Sequence, residues 1–175
     1  MKLLVLVTIL WAFSFSLIGE FLAGRVDSDF AVLSRVLLAA LVFLPLTRWR
    51  GVPGGMKLGI MATGMLQFGI TYLCLYRSFS YLTVPEVLLF TIFTPLYVTL
   101  IDDALYRRFS PIALVAAAVA TLGAGIIRYD GLSQGFITGF LLLQVANFTF
   151  AAGQVGYKHT MMRFPTELPA YRTFG

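Results

Sequence analysis

Residues 67–101 read QFGITYLCLYRSFSYLTVPEVLLFTIFTPLYVTLI and decide the fold. Two apolar helices are expected here, joined by a very short turn that Thr83 and Pro85 mark. Between Met65 and Ile101 the only charged residues are Arg77 and Glu86, one on each side of that turn. Helical periodicity lines up Glu86, Phe90, Phe93 and Tyr97 on one face of the second helix. On the first, Gly64, Gln67, Thr71, Cys74 and Ser78 recur at alternating spacings of three and four and make another face. An apolar hairpin with a polar stripe and charges at its mouth is what a solute path through a bilayer needs, and charge within a membrane marks function by default.

Working outward, the composition agrees. The 175 residues are 59% hydrophobic and 12% charged, with a mean hydropathy of +0.87. Water-soluble domains carry about twice that charge. The chain is long enough for about six spans of roughly 20 residues. The net charge of +5 does not indicate a nucleic-acid partner, because the basic residues lie mostly at helix ends rather than on one face. The lone cysteine, Cys74, excludes an internal disulfide, and no Cys/His spacing suits a metal. Cys74 reads as a packing residue.

The expected fold is all-α and integral to the membrane, with spans at about 3–23, 30–46, 58–79, 85–101, 111–127 and 136–157. The first run is too long for a signal-peptide core, and Glu20 sits where a cleavage region is neutral, so it is read as a retained helix. Thr8, Ala12, Ser16 and Glu20 form a small, polar stripe on it, suited to close helix contact or to a cavity. Arg35 lies more than a turn inside the second span. Pro85 suits a first helical turn, whereas Pro95 falls mid-helix and is expected to kink it. Ala116, Ala120 and Ala124 form a small-residue packing face. Gln144, Asn147, Gln154 and Lys158 share a face of the last span, and a polar tail follows.

With the N-terminus in the cytoplasm, nine Lys and Arg residues fall on cytoplasmic segments and three on outer ends (Arg25, Arg77 and Arg128), which selects that orientation. It also brings Glu20, Arg35, Arg77 and Glu86 to the outer side, where two acids and two bases can compensate one another.

Each candidate residue has two readings. Arg35 binds a carboxylate through its guanidinium fork, or pairs with Glu20 or Glu86 to fix packing. Arg77 binds solute or snorkels to headgroups. Glu20 and Glu86 couple transport to protons or serve as ion pairs, and Glu86 also suits a helix's first turn. Trp11, Phe90, Phe93 and Tyr97 flank a ring-bearing solute or pack. Gln67, Gln144, Asn147 and Gln154 line a cavity or a helix contact. Asp102 and Asp103 read as solvated, with Asp103 paired to Arg107 one turn on. His159 reads as interfacial, and no catalytic constellation appears, so an enzyme is not expected.

Four stretches carry a family resemblance: ILWAFSFSLIGEFLAG (9–24), FAVLSRVLLAALVFLPL (30–46), YLTVPEVLLFTIFTPLYVTLI (81–101) and FSPIALVAAAVATLGAGIIRYDG (109–131). They resemble the EamA-type members of the drug/metabolite transporter superfamily, within its carboxylate/amino acid/amine transporter group. Stretches such as DSDFAVLSRV and LTVPEVLLFT are similar to its biotin-carrying members in particular. The resemblance implies ten helices in two inverted five-helix repeats. Residues 1–130 would supply one repeat and 131–175 the start of the next, so the chain is expected to act as a fragment of something longer, or by self-association. It further implies a multi-pass protein of the bacterial inner membrane, using no cofactor, with the lipid bilayer and a small carboxylate, biotin first, as partners. An EamA-type exporter of amino acids or drugs, and a non-transporting assembly subunit, are the alternatives.

Overall fold

The computed structural model describes residues 2–22, 25–47, 51–127 and 134–164. Among the described residues, apolar runs punctuated by Gly, Pro and charged turns become six helical rods. The first is α1 (Lys2–Leu17), continued by a π-helical turn at Ile18–Leu22. The second is α2 (Ser28–Phe43), closed by a 3-10 turn at Leu44–Leu46. The third joins α3 (Gly54–Gly64) to α4 (Thr71–Ser78) through a π turn at Met65–Ile70. The fourth joins α5 (Val84–Phe90) to α6 (Thr94–Tyr106) through a 3-10 turn at Thr91–Phe93. Then come α7 (Pro111–Ile127) and α8 (Gln134–Arg163). Among the described residues there is no strand.

Among the described residues five stretches are long and apolar enough to cross a membrane: Val5–Leu22, Ser28–Leu46, Gly54–Ser78, Val84–Tyr106 and Gly135–Arg163. The fifth rod, α7, has 17 residues and a length of about 26 Å, at the short end for a bilayer. The fourth rod runs on to Tyr106 rather than stopping near 101. Asp102 and Asp103 extend it because their carboxylates have partners, Lys158 at 2.7 Å and Ser110, whose N and Oγ donate at 2.7 and 3.0 Å. The expected Asp103–Arg107 pair does not form. Arg107 turns left-handed (φ 50°) to end the helix, and its N–H donates to the Asp103 carbonyl instead. The last rod reaches Arg163 rather than 157 and is about 45 Å long, so Lys158 and Arg163 ride on turns beyond the apolar core.

Two helix starts are capped from within. The Asp27 carboxylate accepts from Asp29 N and Phe30 N at 3.0 Å each. Thr83 and Glu86 form a capping box, with Pro85 in the first turn where no donor is missed.

Helix α8 is the centre, with α3, α4 and α6 all packed on it. Leu143 and Ala151 of α8 are fully buried, as is Val87 of α5, whereas Leu41 and Ile112 on outer rods are 72% and 85% exposed. Lipid holds an apolar side chain as well as another helix does, so close approach has to hold helices together. Glycine provides it. A Cβ on Gly153 would lie 2.6 Å from Gln67 Cβ and 3.1 Å from the Thr63 carbonyl oxygen, and one on Gly156 would lie 2.7 Å from Thr63 Cγ2. On α7, Ala116 faces outward, and the side chains of Ala120 and Ala124 lie outside the described set.

Gly153→Val is therefore expected to destabilise the fold by about 2–3 kcal/mol, since backbone atoms cannot make way. Gly64→Ala, where an added methyl meets nothing within 4 Å, is expected to be neutral or stabilising by up to about 1 kcal/mol. Thermal unfolding in detergent compares the two, and equal effects would sink the idea that the α8 seam sets the packing.

Candidate functional site

The third span presents two faces, and they differ in what they meet. The polar face turns to α8. Thr71 Oγ1 shares a hydrogen bond with Thr149 Oγ1 at 2.9 Å and donates to the Leu66 carbonyl at 2.9 Å. The π turn sets up that bond, because its extra residue brings Thr71 N–H to Leu66 as well. Ser78 is fully buried, with its hydroxyl on the Leu75 carbonyl. Gln67 has its Cα and Cβ against Gly153, and Cys74 is half-buried. At Gln67 and Thr71 the stripe thus forms a helix seam with α8.

The other face carries an aromatic ladder. Phe68, Tyr72 and Tyr76 follow one another at helical pitch, with ring centroids 6.0 and 6.4 Å apart. Arg35 of α2 meets this ladder. Its guanidinium carbon lies 4.6 Å from the Tyr72 ring centroid, and NH1 donates to the Tyr76 hydroxyl at 3.5 Å. Among the described residues no carboxylate pairs with Arg35. Guanidinium has five N–H donors in a fixed fork, so a ring beneath its face leaves its edges open to a carboxylate.

The other three members of the expected charge cluster are engaged separately. The Arg77 Nε and NH2 donate to the two carboxylate oxygens of Asp29 at 3.1 and 2.7 Å, which ties the end of α4 to the start of α2. Glu20 lies 3.9 Å from Arg25, both well exposed. Glu86 is buried and folds back on its own helix start, accepting from Thr83 N and Oγ1 at 2.6 and 2.7 Å. Each finds a partner within its own turn or on the facing helix end, so the expected mutual compensation with Arg35 does not occur.

The aromatic candidates do not form one cage. Phe90 and Phe93 stack edge-on to Phe140 at 5.0 and 6.0 Å. Tyr97 lies edge-on to Phe148 at 5.8 Å and donates its hydroxyl to Gln144 Oε1 at 3.2 Å. Trp11 sits elsewhere, against Phe15 and Phe150 at 6.5 and 6.1 Å. Pro95 occupies the first turn of α6, just past the 3-10 break. There the Thr94 N–H bonds the Thr91 carbonyl rather than that of Phe90. Asn147 Nδ2 supplies the Phe90 carbonyl with a donor at 2.9 Å, and Asn147 Oδ1 accepts from Thr94 Oγ1 at 3.2 Å. The Asn147 amide thus serves the helix contact at both ends.

At the opposite end of the bundle a cleft of about 350 Å³ opens between α6 and α8, with Gln154, Ser110 and the Asp102–Lys158 pair on its walls. Lys158 lies 5.3 Å from the Tyr106 ring centroid, and the Tyr106 hydroxyl is 3.5 Å from His159 Nδ1. Among the described residues no three His, Cys, Asp or Glu side chains gather as a metal site would need.

Sequence reasoning missed Tyr72, Tyr76 and Asp29. The four-residue spacing of Phe68, Tyr72 and Tyr76 was the available signal for the first two.

Membrane-length helices around a central rod, two of them interrupted midway, with an arginine set on aromatic rings inside the apolar zone, define a multi-pass membrane protein. The chain belongs to the EamA-like transporter family, whose model matches residues 1–129. It is similar to the probable biotin transporter of Pseudomonas aeruginosa, 66% identical over 175 residues covering 100% of this chain and 61% of that protein. The biotin transporter of Escherichia coli K12 is 52% identical over 177 residues, which cover 99% of this chain and 58% of that one. That of Salmonella typhimurium is 51% identical, with the same coverage. The chain thus spans about three-fifths of the length of these relatives. No solved structure matches.

A double-mutant cycle on Arg35→Met and Tyr72→Leu is expected to give a coupling of about 1 kcal/mol, the value of a partly desolvated cation–ring contact. Unfolding in detergent measures it, and additive effects would mean that the ring does not hold the guanidinium.

Proposed function

We propose that this chain is the first part of a secondary transporter that takes up a small carboxylate-bearing metabolite, biotin foremost, across the bacterial inner membrane. One observation carries the reading: Arg35 lies within an apolar span, seated on Tyr72 and Tyr76, with no acidic partner among the described residues. A guanidinium placed there costs free energy that an incoming carboxylate offsets, and the fork geometry favours a planar anion. The relatives named as biotin transporters support the solute. Biotin's chemistry agrees, being a carboxylate on a largely apolar body.

In this reading residues 1–130 form one five-helix repeat and 131–175 begin a second, working as part of a longer polypeptide, and the two repeats rock to give alternating access. The Lys and Arg distribution favours a cytoplasmic N-terminus, which puts the Asp29–Arg77 end outside and the Asp102–Lys158 end inside. The task is movement without bond chemistry, so no enzymatic step is assigned.

The test is uptake of labelled biotin into cells lacking their own carrier, by this chain alone and by a polypeptide extended to the relatives' length. The extended form is expected to restore uptake. Arg35→Lys keeps the charge but loses one of two charge-assisted bonds, about 1.5 kcal/mol, so KM should rise about tenfold. Uptake by the short chain alone would mean that copies associate to complete the path. A well-expressed extended form that moves no biotin would overturn the solute and leave export of amino acids or drugs, or an assembly role, to be examined.

A further inference from the structure

We propose that the Asp29–Arg77 pair is a positioning device that sets the register of α2 on α4 and so holds Arg35 over Tyr72. This rests on the reading of Arg35 as the solute anchor and gives Arg77 a different task from solute binding.

Apolar packing fixes α2 poorly. Only Ala31 and Val32 of that helix are buried, whereas Leu37, Leu38 and Leu41 are 53%, 64% and 72% exposed. Lipid competes evenly for such residues, so they do not choose one register over another. Polar contacts to α4 can choose, and three occur: Asp29 with Arg77, Ser28 Oγ with the Tyr76 carbonyl at 3.5 Å, and Arg35 with Tyr76. The Asp29–Arg77 contact is the two-pronged one, and a two-pronged contact fixes orientation as well as distance.

The spacing fits. The helices run antiparallel, with Asp29 opposite Arg77 and Arg35 opposite Tyr72. Asp29 to Arg35 is six residues, about 9 Å of rise, and Arg77 back to Tyr72 is five, about 7.5 Å. Pinning the first pair therefore brings the second level within about a residue. A slide of one helical turn, about 5.4 Å, would carry the guanidinium off the ring. Division of labour among the acids permits it. Asp27 caps α2, which leaves the Asp29 carboxylate free to reach across.

The experiment reads Arg35 directly. Phenylglyoxal labelling of membranes, quantified at the Arg35 peptide by mass spectrometry, reports its exposure without reference to solute, and biotin uptake kinetics run alongside in the extended polypeptide. Asp29→Asn is expected to raise Arg35 labelling about fivefold and to raise KM by a similar factor with Vmax within about twofold. Exchanging the charges (Asp29→Arg with Arg77→Asp) should return both toward native. Arg77→Lys, which keeps the ion pair and loses the fork, should give intermediate labelling and keeps the test open if Asp29→Asn does not accumulate. Native labelling in these single variants overturns the proposal. So does a stable exchanged pair that leaves labelling high, or a KM effect with unchanged labelling, which would make Arg77 a solute ligand. If labelling moves as expected while KM does not, positioning stands and the reading of Arg35 as solute anchor falls.

Discussion

A bilayer supplies no hydrogen bonds to an exposed backbone group, and it solvates leucine as well as another helix does. Everything that holds this chain together answers to that pair of facts. Where backbones must touch, side chains shrink to glycine, as Gly153 and Gly156 do against Thr63 and Gln67. Where the helical ladder breaks, a side chain from a neighbour steps in, as Asn147 does for the Phe90 carbonyl. At the π turn, the Thr71 hydroxyl reaches back to Leu66 and across to Thr149. All of these devices converge on α8. The irregular segments at Met65–Ile70 and Thr91–Phe93 are tolerated because α8 lies beside them.

The charges obey the same economy at shorter range. Three of the four near one end are closed locally: Arg77 on Asp29, Glu20 beside Arg25, Glu86 on Thr83. At the other end Lys158 closes on Asp102, and Asp103 on Ser110. Arg35 is different in kind. Its company is aromatic, which stabilises a cation through the ring face without neutralising it. An aromatic seat keeps a guanidinium ordered yet open to an anion, which an ion pair would not.

Much of this was legible in the sequence, for definite reasons. Runs of about twenty apolar residues between Gly, Pro and charged turns have no stable alternative to spanning helices, and Thr83-Val84-Pro85-Glu86 spells its own cap. Ends were harder. Asp102 and Asp103 look like a stop, but they continue α6 because Lys158 and Ser110 wait nearby, and those partners are distant in sequence or beyond a turn. The stripe from Gly64 to Ser78 was a true face, but periodicity does not say what a face meets, and at Gln67 and Thr71 it met α8. The Phe68–Tyr72–Tyr76 ladder was passed over because aromatics at helical spacing are equally at home in lipid. The π turns were invisible, since a one-residue shift in backbone pairing leaves no mark on composition. Asp29 lies just ahead of the expected second span, and only the antiparallel seating of α2 on α4 brings it to Arg77.

The central place of α8 bears on how the protein is made. Its contacts reach far back along the chain, to Gly59 from Thr160 and to Phe90 from Asn147. Helices leave the ribosome in order, at about 5–20 residues per second. For several seconds after α3 and α5 have been synthesised, the surfaces that fit α8 have no partner, and the backbone at the 3-10 break lacks its amide donor. Assembly of these rods is therefore a late event with high contact order, set by the arrival of residues 134–163. A defect in α8 would reach quality control as a failure of the earlier helices to stay in place.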